Sequence, residues 1–223
     1  METEKLIRNT TLLLCFTAGF CDTLTFVAAG EIFSAHVTGN FIVFAYDVLR
    51  RTGPDSWQKL FTFPVFVVAV MLGGRIAKRS SNMNLLLILE ALLLLVSGIL
   101  SLVLLNAGQD SNWRVQLIVM LMVTAMAFQN TFGKLFNKAT YGLTTVMTGN
   151  VTQASLDLAA GLKAGNAEVW GNFKKQTLLI CSFLGGCFAG ALMGKQYGLV
   201  SVSLPAVLML GWLGASHFFR PNY

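Results

Sequence analysis

Three ionisable residues, Asp22, His36 and Glu90, stand in or beside long apolar runs where charge has no ordinary surface use. Asp22 follows Phe20 and Cys21 and precedes Leu24 and Phe26, and Glu90 is embedded between Leu85–Leu89 and Ala91–Leu95. A charged side chain at the centre of a membrane helix costs about 3 kcal/mol on insertion scales, so it turns inward, takes a partner and is a candidate for moving protons or ions. For Asp22 the chemistry is a solute or proton site, set against a structural hydrogen-bond acceptor. Glu90 reads equally as a proton carrier and as a neutral acid bonded to a neighbouring helix, with Gln129 and Asn130 as candidate partners. His36 lies two residues before Thr38 in a polar stretch, where an imidazole can bind solute, titrate near neutral pH or bond free backbone carbonyls.

A second constellation is repeated. Thr38-Gly39-Asn40 returns 110 residues later as Thr148-Gly149-Asn150, and each Asn is followed after seven residues by an aspartate, Asp47 and Asp157. Thr, Gly and Asn supply what the start of a helix needs, a capping oxygen and tolerance of unusual backbone angles. The free N–H groups and partial positive charge of such a start favour an anion or a polar group. Thr38, Gly39, Asn40, Thr148, Gly149 and Asn150 are therefore candidate solute-binding residues together with Gln129 and Asn130, although capping alone would also select the six. Asp47, close to Arg50 and Arg51, reads as structural, as does Asp157. Thr152, Gln153 and Ser155 make the second short helix the more polar, as if it bordered water.

The elements that must position these groups are transmembrane helices. Hydrophobic residues are 55% of the chain and charged ones 12%, against roughly a quarter charged in a soluble domain. Apolar blocks at Thr10–Gly30, Leu60–Ile76, Leu85–Leu105, Val115–Phe132, Thr177–Met193 and Val200–Phe218 match the roughly 20 residues that span a bilayer core. Lys5 and Arg8 precede the first block as in a signal peptide, but the run is long and lacks a small-x-small exit, so it reads as a retained helix. Cys15, Cys21, Cys181 and Cys187 lie in apolar segments and imply no disulfide framework. No metal or other cofactor is implied, because the other histidine, His217, closes the last helix and the cysteines lack ligand spacing. The net charge of +6 comes from loop lysines and arginines that flank the helices, which argues for membrane topology rather than nucleic acid.

Self-similarity organises the whole chain. Ser34 faces Thr144 at the same offset, Phe20-Cys21-Asp22 corresponds loosely to Phe128-Gln129-Asn130, and Leu72-Gly73-Gly74 resembles Leu184-Gly185-Gly186. The expectation is an all-α integral membrane protein, a single domain of two repeats, 1–110 and 111–223. About six transmembrane helices are joined by two short broken or re-entrant half-helices. From Asn40 to Arg51 a helix covers about 18 Å, half a bilayer. Irregular backbone at that depth must be buried by protein or line a cavity. If both short helices are re-entrant, each half crosses three times and the second half is inverted. With the N-terminus inside, eleven of the sixteen basic residues then fall on the inner side: Lys5, Arg8, Arg75, Lys78, Arg79, Lys134, Lys138, Lys163, Lys174, Lys175 and Arg220. If the short helices complete a crossing instead, the split is ten against six, and the cytoplasmic N-terminus stands either way. Gly186, Gly190 and Gly194 form a small-residue face for close helix packing, within the monomer or across a homodimer. Pro205 is expected to kink the final helix.

The run Ala18-Gly19-Phe20-Cys21-Asp22, then Phe33-Ser34-Ala35-His36-Val37-Thr38-Gly39-Asn40, with Phe128-Gln129-Asn130 and Met147-Thr148-Gly149-Asn150, resembles the YoaK-like family of bacterial multi-pass membrane proteins. The resemblance covers nearly the whole chain and implies the bacterial cytoplasmic membrane; it supplies no substrate. Within the repeat, Asn130 stands where Asp22 does and Val146 where His36 does, so ionisable chemistry is concentrated in the first half. By analogy alone, the layout of an extended segment leading into a half-helix is similar to sulfate- and uracil-permease-type carriers.

Paired broken helices are how many secondary transporters build a midplane site. The leading expectation is a carrier of a small polar or anionic solute, with Asp22, His36 or Glu90 as candidates for proton coupling and the bilayer and that solute as its partners. A channel with re-entrant half-helices, or a non-transporting membrane scaffold, is the alternative. A channel would conduct without a titratable carboxylate. An enzyme is not expected, since no nucleotide-binding loop, Ser/His/Asp set or His-Glu-x-x-His run is present. Six crossings are few for a complete carrier, which leaves room for a homodimer.

Overall fold

Long apolar runs without surface charge have one stable form in lipid, the helix, because it satisfies every backbone group internally. The computed structural model describes residues 2–50, 56–80, 82–105, 112–146 and 148–218. Arg51, Met147 and Arg220 lie outside them. Within the described residues the chain forms eight α-helices and no strand: α1 (Glu2–Ala28), α2 (Gly39–Arg50), α3 (Trp57–Arg79), α4 (Leu85–Leu105), α5 (Asn112–Leu135), α6 (Thr148–Ala164), α7 (Ala167–Tyr197) and α8 (Ser203–Phe218). Helices α1, α3, α4 and α5 are each long and apolar enough to cross a membrane, and α7 and α8 form one further apolar run, Ala167–Ala215. That run is folded in two by a 3-10 turn, Gly198–Val202, whose Gly198 has φ 62°.

Pairs of touching residues fix the direction of each helix. Gly186, Gly190 and Gly194 of α7 meet Phe16, Phe20 and Leu24 of α1 in that order, so these two helices run parallel. A Cβ at Gly186 or Gly190 would lie 2.1 or 2.3 Å from the carbonyl oxygen of Phe16 or Phe20, and one at Gly19 would lie 2.2 Å from that of Phe183. The small-residue face therefore closes an intramolecular helix pair. Trp212 Nε1 donates to Thr10 Oγ1 at 3.0 Å, which brings α8 back towards the start of α1.

Gln129 of α5 reaches the Leu14 carbonyl, and beyond the end of α5 the Tyr141 N–H reaches Thr11 Oγ1, so α5 is antiparallel to α1. The first turn of α3 shares a cavity with Val115 and Gln116, and Gly73 further along packs on Phe128 and Thr131, so α3 runs with α5. Arg114 caps the Leu104 carbonyl across the α4–α5 hairpin. Helices α1, α4 and α7 thus point one way and α3, α5 and α8 the other.

The core is built on α1 and α5, where Leu14, Phe20, Leu24, Ile118, Met122, Met126 and Phe132 are buried with Leu86, Leu87 and Leu94 of α4. The outer faces of α3 and α7 expose Phe61, Val68, Leu184, Phe188 and Leu192, as lipid-facing surfaces do. Pro205 does not kink the last helix: it is the third residue of α8, where the N–H that proline lacks has no helical acceptor.

Candidate functional site

The first hairpin is built where α1 stops. Glu31 N–H bonds back to Phe26 O at 3.1 Å and Ala29 N–H to Thr25 O at 2.9 Å, with Gly30 at φ 72° and Glu31 at φ 62°. Gly30 tolerates that left-handed cap, and Glu31 is held in it at a cost of about 1–2 kcal/mol. The chain then turns back along α1. Asp22 Oδ1 accepts from Ala35 N–H at 2.5 Å and from His36 N–H at 3.3 Å, while its Oδ2 bonds the His36 ring at Nδ1. Asn40 closes the turn: Oδ1 accepts from Phe33 N–H at 2.7 Å, and Nδ2 donates to Phe33 O at 2.8 Å and Thr62 Oγ1 at 2.9 Å.

Helix α2 leaves from this depth and heads back to the face where α1 ended. Its Asp47 is ion-paired with Lys59 on the first turn of α3, and Lys59 Nζ stands 3.9 Å from Glu31. The first half-helix is therefore re-entrant. Asp47 pairs across to α3 and not with Arg50, whose guanidinium sits 4.5 Å over the Tyr46 ring.

The second hairpin repeats the plan from the opposite face. Beyond α5 the chain returns along it, with Thr145 Oγ1 donating to Asn130 Oδ1 at 2.9 Å and Gln129 Nε2 to Thr144 Oγ1 at 2.7 Å. Asn130 holds its lead-in as Asp22 holds the first. Helix α6, 17 residues against the 12 of α2, runs back antiparallel to α7, from Asn150 against Gln176 (3.1 Å) to Gly161 beneath the Trp170 ring.

The two tips meet inside the bundle. His36 Nε2 lies 2.9 Å from the carbonyl oxygen of Val146, its counterpart 110 residues on. The Thr-Gly-Asn segments begin two residues further on, at the starts of α2 and α6. Thr38, Thr148 and Gly149 are exposed in the monomer, and Gly39 and Asn150 are partly so. Asn40 is fully buried with its amide engaged by backbone and Thr62, as a brace. The N–H groups of Gly39, Asn40 and Phe41 bond to the carbonyls of His36, Val37 and Thr38, so the start of α2 is closed by its own turn.

Glu90 stands apart from the tips. It is fully buried on α4, near Cys21, and neither carboxyl oxygen has a hydrogen-bond partner among the described residues. Gln129 and Asn130, its expected partners, are committed to the second lead-in, with Gln129 Nε2 also on the Leu14 carbonyl and Asn130 Nδ2 on that of Met126. Thr17 Oγ1, Ser34 Oγ and Gln129 Oε1 are likewise buried without a partner.

Sequence reasoning missed Lys59, which is 7% exposed and sits in a cavity of about 430 Å³ with Glu31, Asp47, Gln58 and Gln116. A lysine immediately before the apolar run that begins at Leu60 was its one visible signal.

Fold and site together define a multi-pass, all-α membrane protein in which two re-entrant hairpins meet tip to tip inside the bundle. The chain belongs to the family described as "Protein of unknown function (DUF1275)", whose profile matches residues 10–215. It is 25% identical over 218 residues to the "UPF0700 transmembrane protein YoaK" of Bacillus subtilis (strain 168), a match that covers 94% of each chain. No solved structure matches it.

Proposed function

We propose that the protein is a secondary carrier of a small polar or anionic solute, with its site at the junction of the two re-entrant tips. The observation that carries this reading is the contact of His36 with Val146 between hairpins that enter from opposite faces. Around it Thr38, Thr148, Gly149 and Asn150 offer hydroxyl, amide and backbone groups at a depth where lipid would satisfy none of them. Helix directions support two inverted repeats, 1–110 and 111–223, since the three crossings of the second half run opposite to their counterparts in the first. Inverted halves around a midplane site are the architecture of alternating access. Proton coupling through Asp22, His36 or Glu90 belongs to the same reading, as do a cytoplasmic N-terminus in the bacterial inner membrane, a role without enzymatic activity and a possible homodimer.

The test is a thermal-shift screen of purified protein against small anions, carboxylates, amino acids and nucleobases. A solute at a hundred times its Kd stabilises the folded state by about 2.7 kcal/mol. The expected result is a stabilising solute whose effect is lost in Asn150→Ala and kept in Leu204→Ala, a distant control. A folded wild type that no solute shifts, or a shift unchanged in Asn150→Ala, removes the site from the tips.

A further inference from the structure

The His36 ring has an acceptor at each nitrogen. Val146 offers a carbonyl oxygen, which can only accept, so Nε2 carries a hydrogen. Asp22 offers a carboxyl oxygen to Nδ1, and a proton must lie in that bond too. A neutral imidazole and an ionised carboxylate own one hydrogen between these two bonds, not two. The arrangement therefore contains one proton more than that neutral-plus-carboxylate pair.

We propose that Asp22 and His36 form the proton site of this protein, and that the bound proton clasps the two re-entrant tips together through His36 Nε2–H and Val146 O. This rests on the carrier reading and names its coupling ion and the group that holds it. When the proton leaves to water, the imidazole keeps one hydrogen. Facing a carboxylate with a bare lone pair is worse than facing a neutral carbonyl, and a hydrogen bond to an ionised acceptor is about twice as strong as one to a neutral acceptor. The remaining hydrogen goes to Nδ1, on the Asp22 side. Nε2 then turns a lone pair towards the Val146 oxygen, and the clasp opens.

The rest of the site leaves that bond as the moving part. Asp22 Oδ1 holds the first lead-in through the Ala35 and His36 N–H groups in either state, and Asn130 and Gln129 hold the second on α5. Among the described residues, the His36–Val146 bond is the one hydrogen bond that joins the two lead-ins directly. The ring is partly open, with 23% of its side chain exposed.

The groups that face the pair are few. Helix α1 gives Asp22 itself, and α4 gives Glu90, close to Cys21. Helix α7 gives the Cys187 thiol within electrostatic reach of Asp22 and the edge of Phe183 against the imidazole, centroids 5.5 Å apart. The second lead-in gives the carbonyl alone. No lysine or arginine among the described residues is ion-paired with Asp22, so nothing there replaces the proton's charge.

The chain has two histidines, His36 and His217, so isotope-labelled histidine in nanodiscs gives two ring spectra, assigned with His217→Gln. Raising pH should convert His36 from imidazolium to the Nδ1–H tautomer. In the same interval, amide exchange across 140–146 should accelerate about tenfold beyond its intrinsic base dependence, as expected for one lost hydrogen bond. In Asp22→Asn the imidazolium signal should vanish, and in His36→Gln, which cannot titrate, the exchange step should vanish. A His36 that stays neutral with its hydrogen on Nε2 at every pH overturns the proposal, as does a tautomer change with no change in exchange. Neither readout uses a solute, so a titrating clasp without any stabilising solute would count against the carrier reading and leave the clasp standing.

Discussion

Asn40 and Asn150 occupy the same place in the repeat and do different work. Asn40 satisfies both backbone groups of Phe33 and the Thr62 hydroxyl while fully buried, whereas Asn150 bonds Gln176 in a partly exposed position. Removing a side chain that leaves buried partners unsatisfied costs about 1–3 kcal/mol for each group. Asn40→Ala should therefore lose at least about 3 kcal/mol and yield little folded protein, and Asn150→Ala should lose under about 1 kcal/mol; thermal unfolding in detergent compares them. Equal losses would mean that the two turns are braced alike. Glu90 is predicted to behave in the opposite sense. Its two oxygens have no partner among the described residues, so Glu90→Met, which fills similar volume without a polar group to desolvate, should raise stability by about 1–2 kcal/mol. A loss on the same scale would reveal a partner for the carboxyl in the membrane-embedded protein. If transport fails in a variant that has become more stable, Glu90 is retained for function.

At the scale of elements, α2 is held to α3 by a buried ion pair at one end and by the Asn40–Thr62 hydrogen bond at the other. Asp47 and Lys59 are each 7% exposed, so Lys59→Ala takes the ammonium from a buried carboxylate and should destabilise by about 3 kcal/mol. The double change Lys59→Met with Asp47→Leu should recover most of that, because the desolvation cost of both charges is removed together. A double variant no better than the single would show that the pair, and not the packing around it, holds the half-helix in place. The contact between α1 and α7 is steric. A Cβ at Gly190 would press on the Phe20 carbonyl, so Gly190→Ala should cost about 2 kcal/mol and Gly185→Ala, which meets open space, almost nothing. The long helices were legible in the sequence from apolar length, and the half-helices from a repeated tripeptide that no spanning helix needs. What joins them was not legible. The Asp47–Lys59 pair bridges elements whose separation in space depends on the hairpin folding back, and nothing local to Asp47 favours Lys59 over the nearer Arg50. The Asp22–His36 bond was hidden for the same reason, although both residues stood out by type. Pro205 misled because its effect depends on whether a helix has already begun, which the turn at Gly198–Val202 decides.

For the whole molecule, the proposed two-repeat reading gives each half an odd number of crossings, and that decides which ends share a side of the membrane. Glu31, just past the end of α1, and Gln58, in the first turn of α3, border one cavity, so they open to the same compartment. Glu4 at the start of α1 and Glu168 at the start of α7 both lie towards the opposite end, because α1 and α7 run parallel. In the proposed orientation, with the N-terminus inside, that end faces the cytoplasm. Single cysteines at positions 4, 31, 58 and 168, in a background lacking Cys15, Cys21, Cys181 and Cys187, should respond to an impermeant thiol reagent in two groups. In intact cells positions 31 and 58 should label, and in inverted vesicles positions 4 and 168. Had the half-helices completed crossings, position 31 would part from position 58. A full exchange of the two groups would keep the fold and reverse its orientation, and with it the face from which a proton reaches His36 first.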